Sequence, residues 1–439
     1  MTIGAMLTPA QLARRARLSM PLARRENALR TGVLDPAEFR ADLVAHVDEL
    51  DPVLGAFTGA RPEVLRLASL PWNPSVTYND TIDVAGYPTT LGIRAGHAPT
   101  PATSAQIVRL MANQGLAGIG KVASTECALD TEGPSRNPRY PHVSAPGAGT
   151  GGAVAVAAGF CDVSVVADAG GSLRWPAVHC GATALRLTPT PALLDGVHCV
   201  SPSLESVGLV TRSPADLAWL WRAHELARAL GLRTEPGWHP LRVAVARPPA
   251  PVHPDLLAAL GRMRDRLTEL GHRTHEPPLP AVWEMVAPAS ALLAGEASVS
   301  FGWLRREPGV ALRPGTLREI ERGEAVGSVR LAGLRQTQRR AGAHLRHLLT
   351  REFDLLVMPL ETRLPGHRAP AGEGSLALVA NFAVLPVLAL PVALSCEDSP
   401  AGVQVLAAPG REDLLVTVGE AVAGDAEFGA GRWMGADGA

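Results

Sequence analysis

The sequence predicts an α/β fold, and three observations predict it. Between Pro74 and Ser213, short apolar runs such as GLAGIG and VSVVAD alternate with helical stretches such as SAQIVRLMANQG and GGAVAVAAG, the pattern of strand–helix crossovers. Strand-like composition returns late, in EFDLLVMPLE and in the apolar run 376–394. With 439 residues, 46% of them hydrophobic and 19% charged, the chain is also long and apolar enough to bury a large core.

Taken in order, residues 8–60 read as helices, with Leu12, Leu43, Val47, Leu50 and Leu54 at three- and four-residue spacings. Residues 74–213 form the alternating core, and catalytic groups are expected at its strand-to-loop ends. From 215 to 350 the chain becomes rich in Arg, Leu and Pro, with LRVAVARP as a strand and 254–271, 284–307 and 318–350 as helices. This section reads as a peripheral helical layer. Residues 351–439 return to core composition and close with a helix near 411–424.

Charge and aromatic content exclude several functions. A formal net charge of -1 supplies no basic excess for phosphates, and 4% aromatic residues are too few for base-stacking platforms, so nucleic acid is not an expected partner. No membrane anchoring is expected either. The longest apolar run, Leu376 to Leu394, contains Asn381, Pro386 and Pro391, which suit a helix leading into a buried strand. Two Arg pairs near the N-terminus are not followed by an apolar segment of signal length. Five scattered cysteines form no CxxC pair and read as reduced thiols, so a cytoplasmic setting is expected. Lysine occurs once, as Lys121.

Chemistry concentrates in two glycine-rich segments. SAPGAGTGGAVAVAAG (144–159) joins a Gly/Ala turn to an apolar helix, without the GK[ST] ending of a phosphate loop or a dinucleotide spacing. DAGGSLRWPAVHCGA (168–182) places a serine after two glycines, where backbone N–H groups stand beside a hydroxyl. Together these segments resemble the amidase-signature family, with its GGSSGGS-type loop and DTGGSIRxPA-type segment. The resemblance continues in TIDVAGYPTTLG (81–92), GPSRNPRYP (133–141), SPSLESVGLVTRS (201–213), NFAVLPVLALPVAL and AGVQVLA. It implies a central mixed β-sheet flanked by helices on both faces, with Ser172 as the acylated nucleophile. The N–H groups of Ala169, Gly170 and Gly171 would form its oxyanion hole.

The helpers of that family mechanism are replaced. The family lysine, in a VKDN-type segment, corresponds to Asn79 in VTYNDT, and an amide does not act as a base at neutral pH. The relay serine, held in a cis peptide, corresponds to Gly149; one residue later, Thr150 is the nearby hydroxyl, though its methyl would crowd a tight turn. Losing a general base typically costs ~10²–10⁴ in rate. Lys121, in GLAGIGKVAST, matches a family lysine that is not the catalytic one and reads as structural support or as a relocated base. His179, His97, His142 and His198 are weaker candidate bases. The pairs His272/His275 and His344/His347 lack nearby cysteines and are not expected to bind zinc. Asp168 and Arg174 read as a charge-assisted pair orienting the Ser172 turn, and Arg136 as a loop organiser. Cys180 matches a structural cysteine.

Three functions follow as expectations. The first is acyl chemistry through Ser172, amide hydrolysis or acyl transfer, on a small molecule. The second is a non-hydrolytic cyclisation or rearrangement in a remodelled cleft using Asn79 and Thr150. The third is a noncatalytic homologue that binds a ligand or steadies a partner enzyme, or pairs as a homodimer. No metal, flavin, nicotinamide or pyridoxal cofactor is expected.

Overall fold

The computed structural model describes residues 8–58, 70–130, 133–232, 234, 240–249, 251–364, 375–392 and 400–424. The chain opens with three helices, α1 (Pro9–Leu18), α2 (Leu22–Arg30) and α3 (Pro36–Leu54). Asp35 caps α3 by accepting from the N–H groups of Ala37 and Glu38, and Gly55 ends it in the left-handed conformation.

The expected alternation follows: β1 (Ser75–Asn79), α4 (Gln106–Asn113), β2 (Ala117–Val122), α5 (Thr150–Ala158), β3 (Val163–Ala167), α6 (Arg174–His179), β4 (Thr183–Arg186) and β5 (Val207–Thr211). The next section holds α7 (Pro214–Ala223), α8 (Leu226–Ala229), β6 (Arg242–Val245), α9 (Pro254–Glu269), β7 (Arg273–His275), α10 (Pro280–Trp283), α11 (Val286–Phe301), α12 (Pro314–Glu324) and α13 (Ser328–Arg351). The chain then returns through β8 (Leu355–Pro359), α14 (Leu378–Ala383), β9 (Val387–Val392), β10 (Ala401–Ala407) and α15 (Glu412–Val422).

One ten-stranded sheet runs β2-β1-β3-β5-β4-β9-β10-β8-β6-β7. It is mixed: β2, β1 and β3 are parallel, the centre from β3 through β8 is antiparallel, and β8, β6 and β7 are parallel again. Helices cover both faces, so the central strands are buried throughout and read as apolar runs without alternation. Val163 and Val165 pack with Tyr78 on one face, while Val166 packs on the other with residues of α5. Small residues let α5 approach closely: a Cβ on Gly152 would stand 2.5 Å from Ser164 Oγ and 2.8 Å from Val166 Cγ2.

Two expectations change. The helix read as 318–350 is two helices: the first ends at Glu324 with Ala325 as its C-cap, and Gly327 at φ 70° is the N-cap of the second. The section 215–350 is also not wholly peripheral, since β6 and β7 extend the main sheet beside β8. In contrast, the run 376–394 does form a helix leading into a buried strand, α14 and β9.

Candidate active site

Ser172 lies just after the end of β3, on the turn entering α6. It is half-buried, and its hydroxyl donates to Ala167 O at 3.0 Å. Gly171 occupies φ 106°, and a Cβ there would stand 2.6 Å from Ala377 Cβ. That position therefore requires glycine on grounds of both conformation and space.

Beneath the turn lies a buried charge network. Asp168 pairs with Arg174 (Nε to Oδ2, 2.8 Å), and both side chains are fully buried. Asp168 Oδ1 also accepts the Gly171 N–H at 2.7 Å and the Asn381 amide at 3.0 Å. Arg174 continues to Gln404 Oε1 at 2.8 Å and Ala377 O at 3.1 Å. Burial alone would raise the Asp168 pKa, but the Arg174 charge and hydrogen bonds outweigh it and hold the carboxyl at about 2. The network ties Ser172's turn to α14 and β10, far away in sequence. Gln404 was not singled out from the sequence, and Asn381 was noted only as an interruption of an apolar run; each is a lone amide inside such a run, a recognisable sign of an internal hydrogen-bonding role.

The first glycine-rich segment closes against Ser172. The Gly149 N–H donates to Ser172 O at 3.0 Å. A Cβ on Gly147 would lie 3.7 Å from Ser172 Cβ. Asn79, at the end of β1, reaches the same loop: its Nδ2 donates to Ala148 O at 2.8 Å, while its Oδ1 accepts from Thr81 Oγ1 at 2.6 Å. Thr150 opens α5, fully buried, and its Oγ1 has no hydrogen-bond partner among the described residues. Its methyl does not crowd the turn as expected. It occupies space left by Gly133, where a Cβ would come within 2.5 Å of Thr150 Cγ2. Among the described residues the one cis peptide is Leu70–Pro71.

Of the expected oxyanion donors, Gly171's N–H is committed to Asp168, whereas those of Ala169 and Gly170 find no acceptor among the described residues. Ala169 packs in an apolar cluster with Leu91, Ile93, Val200, Ala297, Phe301 and Leu304.

Lys121 lies apart from this assembly. It pairs in register with Tyr78, whereas Asn79 pairs with Val122, so Lys121 and Asn79 project from opposite faces of the sheet. The ammonium bonds Thr89 Oγ1 at 2.8 Å, Pro88 O at 3.0 Å and Asp80 O at 3.2 Å, with Asp80 Oδ1 at 3.3 Å. Burial lowers its pKa, and Asp80 opposes that shift. These contacts organise the loop after β1.

The histidines are likewise occupied. His179 reaches Glu361 Oε1 at 2.9 Å and Ser144 O at 3.2 Å. His198 pairs with Asp83 at 3.0 Å, His97 meets the Trp303 ring edge-on, and His142 meets Tyr140. Arg136 is exposed and anchors its loop through its N–H to Leu54 O. Burial pushes the Cys180 thiol up, as suits an inert core residue. Cys127, Cys161 and Cys199 are also free thiols, while Cys396 lies outside the described residues. No cluster of metal-ligating side chains occurs among the described residues, nor a helix long and apolar enough to cross a membrane.

A sequence profile for the family described as Amidase matches residues 76–416. The chain belongs to the amidase family. Among its relatives in this family is a glutamyl-tRNA(Gln) amidotransferase subunit of Thermus thermophilus, 29% identical across 88% of this chain and 93% of the relative. The putative amidase AmiC of Mycobacterium tuberculosis is 26% identical across 89% and 91%. A solved 6-aminohexanoate cyclic dimer hydrolase, complexed with substrate, shares the amidase fold at TM-score 0.76 and 24% identity, over 93% of this chain and 97% of that one.

Proposed function

We propose that this amidase-family chain performs acyl chemistry on a small amide, ester or related acyl donor through Ser172, without the family's lysine and relay serine. The observation that carries this reading is a half-buried serine hydroxyl followed back along its turn by two backbone donors, Ala169 and Gly170, that have no acceptor among the described residues, on a turn braced by Asp168 and Arg174. Such donors stabilise the oxyanion that forms when a hydroxyl adds to a carbonyl carbon. Asn79 stands where the family has its base and acts as a clamp on Ala148. Gly149 stands where the family has its relay hydroxyl, and Thr150 is the first residue of the helix beside it, its hydroxyl without a partner among the described residues.

In the proposed reaction, Ser172 Oγ bonds to the carbonyl carbon and its proton passes to the leaving nitrogen or oxygen. The bond from the carbonyl carbon to that leaving atom breaks, leaving an ester on Ser172; water or another acceptor then adds to the carbonyl carbon, its proton returns to Ser172 Oγ, and the ester bond breaks. Among the described residues the Ser172 hydroxyl bonds a backbone carbonyl and no base, so the reaction is slow: an oxyanion hole with substrate binding retains roughly 10³–10⁴ over water in serine-triad enzymes. The test is turnover of p-nitrophenyl acetate and a p-nitroanilide by the wild type and Ser172→Ala. Loss of turnover in the variant supports the reading; equal turnover by both overturns it.

A second reading, a noncatalytic homologue that binds a ligand, is favoured by the resting hydrogen bond of Ser172, which points its proton at Ala167 O rather than at a base. Saturable ligand binding with no turnover by the wild type would support it.

A further inference from the structure

We propose that a pocket at the carboxyl ends of β6 and β7 binds a small organic carboxylate with a flat apolar body, at a site separate from Ser172. The pocket measures about 250 Å³. Val245, Ala246 and Arg247 line it where β6 ends, Pro277 to Leu279 line it after β7, and Trp283 of α10 completes the lining. Crevices beyond the carboxyl ends of parallel strands are where open α/β sheets bind ligands. Sheet topology sets this one far from the nucleophile. Five successive antiparallel pairings lead from β3 to β8, so β8 runs opposite to β3, and β6 and β7 run parallel to β8. Ser172 follows the carboxyl end of β3, whereas the pocket lies at the other end of the sheet. It is also displaced six strand spacings across, on the order of 29 Å at ~4.8 Å each.

The chemistry of the ligand follows from which groups remain unpaired. Glu276, which also lines the pocket, is shared: Arg247 Nε stands 2.9 Å from its Oε2, and Arg264 Nη1 stands 2.9 Å from its Oε1. Asp265 accepts from Arg264 Nε at 2.9 Å and Nη2 at 2.7 Å, so Arg264 has a partner on each edge. The two Nη groups of Arg247, in contrast, have no acceptor among the described residues. Their planar pair of donors matches the two oxygens of a carboxylate. The hydrogen bond from Arg264, with the charge of Arg247, lowers the Glu276 pKa, so Glu276 stays ionised. It fixes the Arg247 guanidinium and repels a second negative charge, which favours a monoanion over a phosphate dianion. The rest of the lining is apolar. Trp283 is partly buried against a cluster that includes Val282, Met285 and Leu356, so its ring is held in place, while its indole N–H has no acceptor among the described residues. A cavity of roughly 150 Å³ holds one benzene ring. The larger volume here therefore takes a ring together with a carboxylate and a short linker.

The experiment titrates 3-phenylpropionate and its neutral amide, 3-phenylpropanamide, into the full chain by calorimetry, in a Ser172→Ala background so that the amide is not consumed. The acid is expected to bind with Kd roughly 0.1–1 mM, as suits an open pocket with one ion pair. The amide should bind roughly tenfold more weakly, because it forgoes the charge-assisted bonds. Arg247→Gln should weaken the acid by a similar factor and leave the amide unchanged, and Arg247→Lys, which keeps the charge but not the planar donor pair, should fall between. The Arg247 side chain is 51% exposed, so these variants should keep the unfolding midpoint of their parent. Trp283→Ala should weaken acid and amide together, since both lose the ring that covers their apolar body. Equal affinity for acid and amide would overturn the proposal, as would acid binding unimpaired by Arg247→Gln, which would put the acid elsewhere on the chain. No acid binding at about ten times the expected Kd would overturn it as well.

Discussion

The Gly149 N–H donates to Ser172 O at 3.0 Å, and a Cβ on Gly149 would stand 2.3 Å from that same oxygen and 2.9 Å from Val166 Cγ1. The space a relay serine's side chain would need is filled by the backbone of Ser172 itself. Gly149→Ser should therefore not restore a relay. It should destabilise the protein by ~1–3 kcal/mol through overpacking, read as a lowered denaturation midpoint, with no gain in ester hydrolysis. A stable, faster variant would show that the loop opens readily.

Asn79 joins the end of β1 to this loop through Ala148 O at 2.8 Å. Asn79→Ala would leave that buried carbonyl and the Thr81 hydroxyl without their partner, at ~1–3 kcal/mol. Denaturant unfolding should show this loss, and labelling of Ser172 should slow because the Gly149 loop is no longer held. An unchanged midpoint would mean Asn79 is not a clamp.

Lys121, on the other sheet face, supports the loop carrying Asp80, Pro88 and Thr89. Lys121→Met should reduce stability, since it leaves the buried Asp80 carboxylate its hydrogen bonds from Thr90 and Gly92 but removes the ammonium paired with it. Labelling of Ser172 per folded molecule should persist. Abolished labelling in a folded variant would make Lys121 the base after all.

Stability should depend on pH at both ends. Asp168 is held at about 2, below its unfolded value near ~3.9. Its contribution is thus present above pH ~4 and lost as pH falls through about 2. Glu205 moves the opposite way: burial, then the Asp168 charge, pushes it up to about 8. A raised carboxyl contributes fully below its unfolded pKa and loses that contribution as pH rises through about 8. Glu205→Gln should therefore gain on the wild type as pH rises from 5 to 8, measured by urea unfolding. Parallel curves across that range would contradict this.

Much of the fold was legible in sequence because strands covered on both faces are continuous apolar runs, as in VSVVA and LLVMP. β7 was not, since RTH is a short, partly exposed edge strand with no apolar signal. At the site, the glycines before Ser172 announced the turn, and Asp168 with Arg174 were recognised as its brace. The closing of the network by Asn381 and Gln404 was missed, because those contacts span 207 and 230 residues. The commitment of the Gly171 N–H to Asp168 was equally hidden, since it depends on a side-chain rotamer and not on residue type. Lys121 was ambiguous until register placed it across the sheet from Asn79.

The central claim, that Ser172 remains able to bond an acyl-type electrophile, is tested most directly by intact-mass measurement after treatment with a fluorophosphonate, beside Ser172→Ala. The account predicts a single adduct on the wild type, formed slowly, and none on the variant. An unlabelled wild type, or equal labelling of the two proteins, would contradict it.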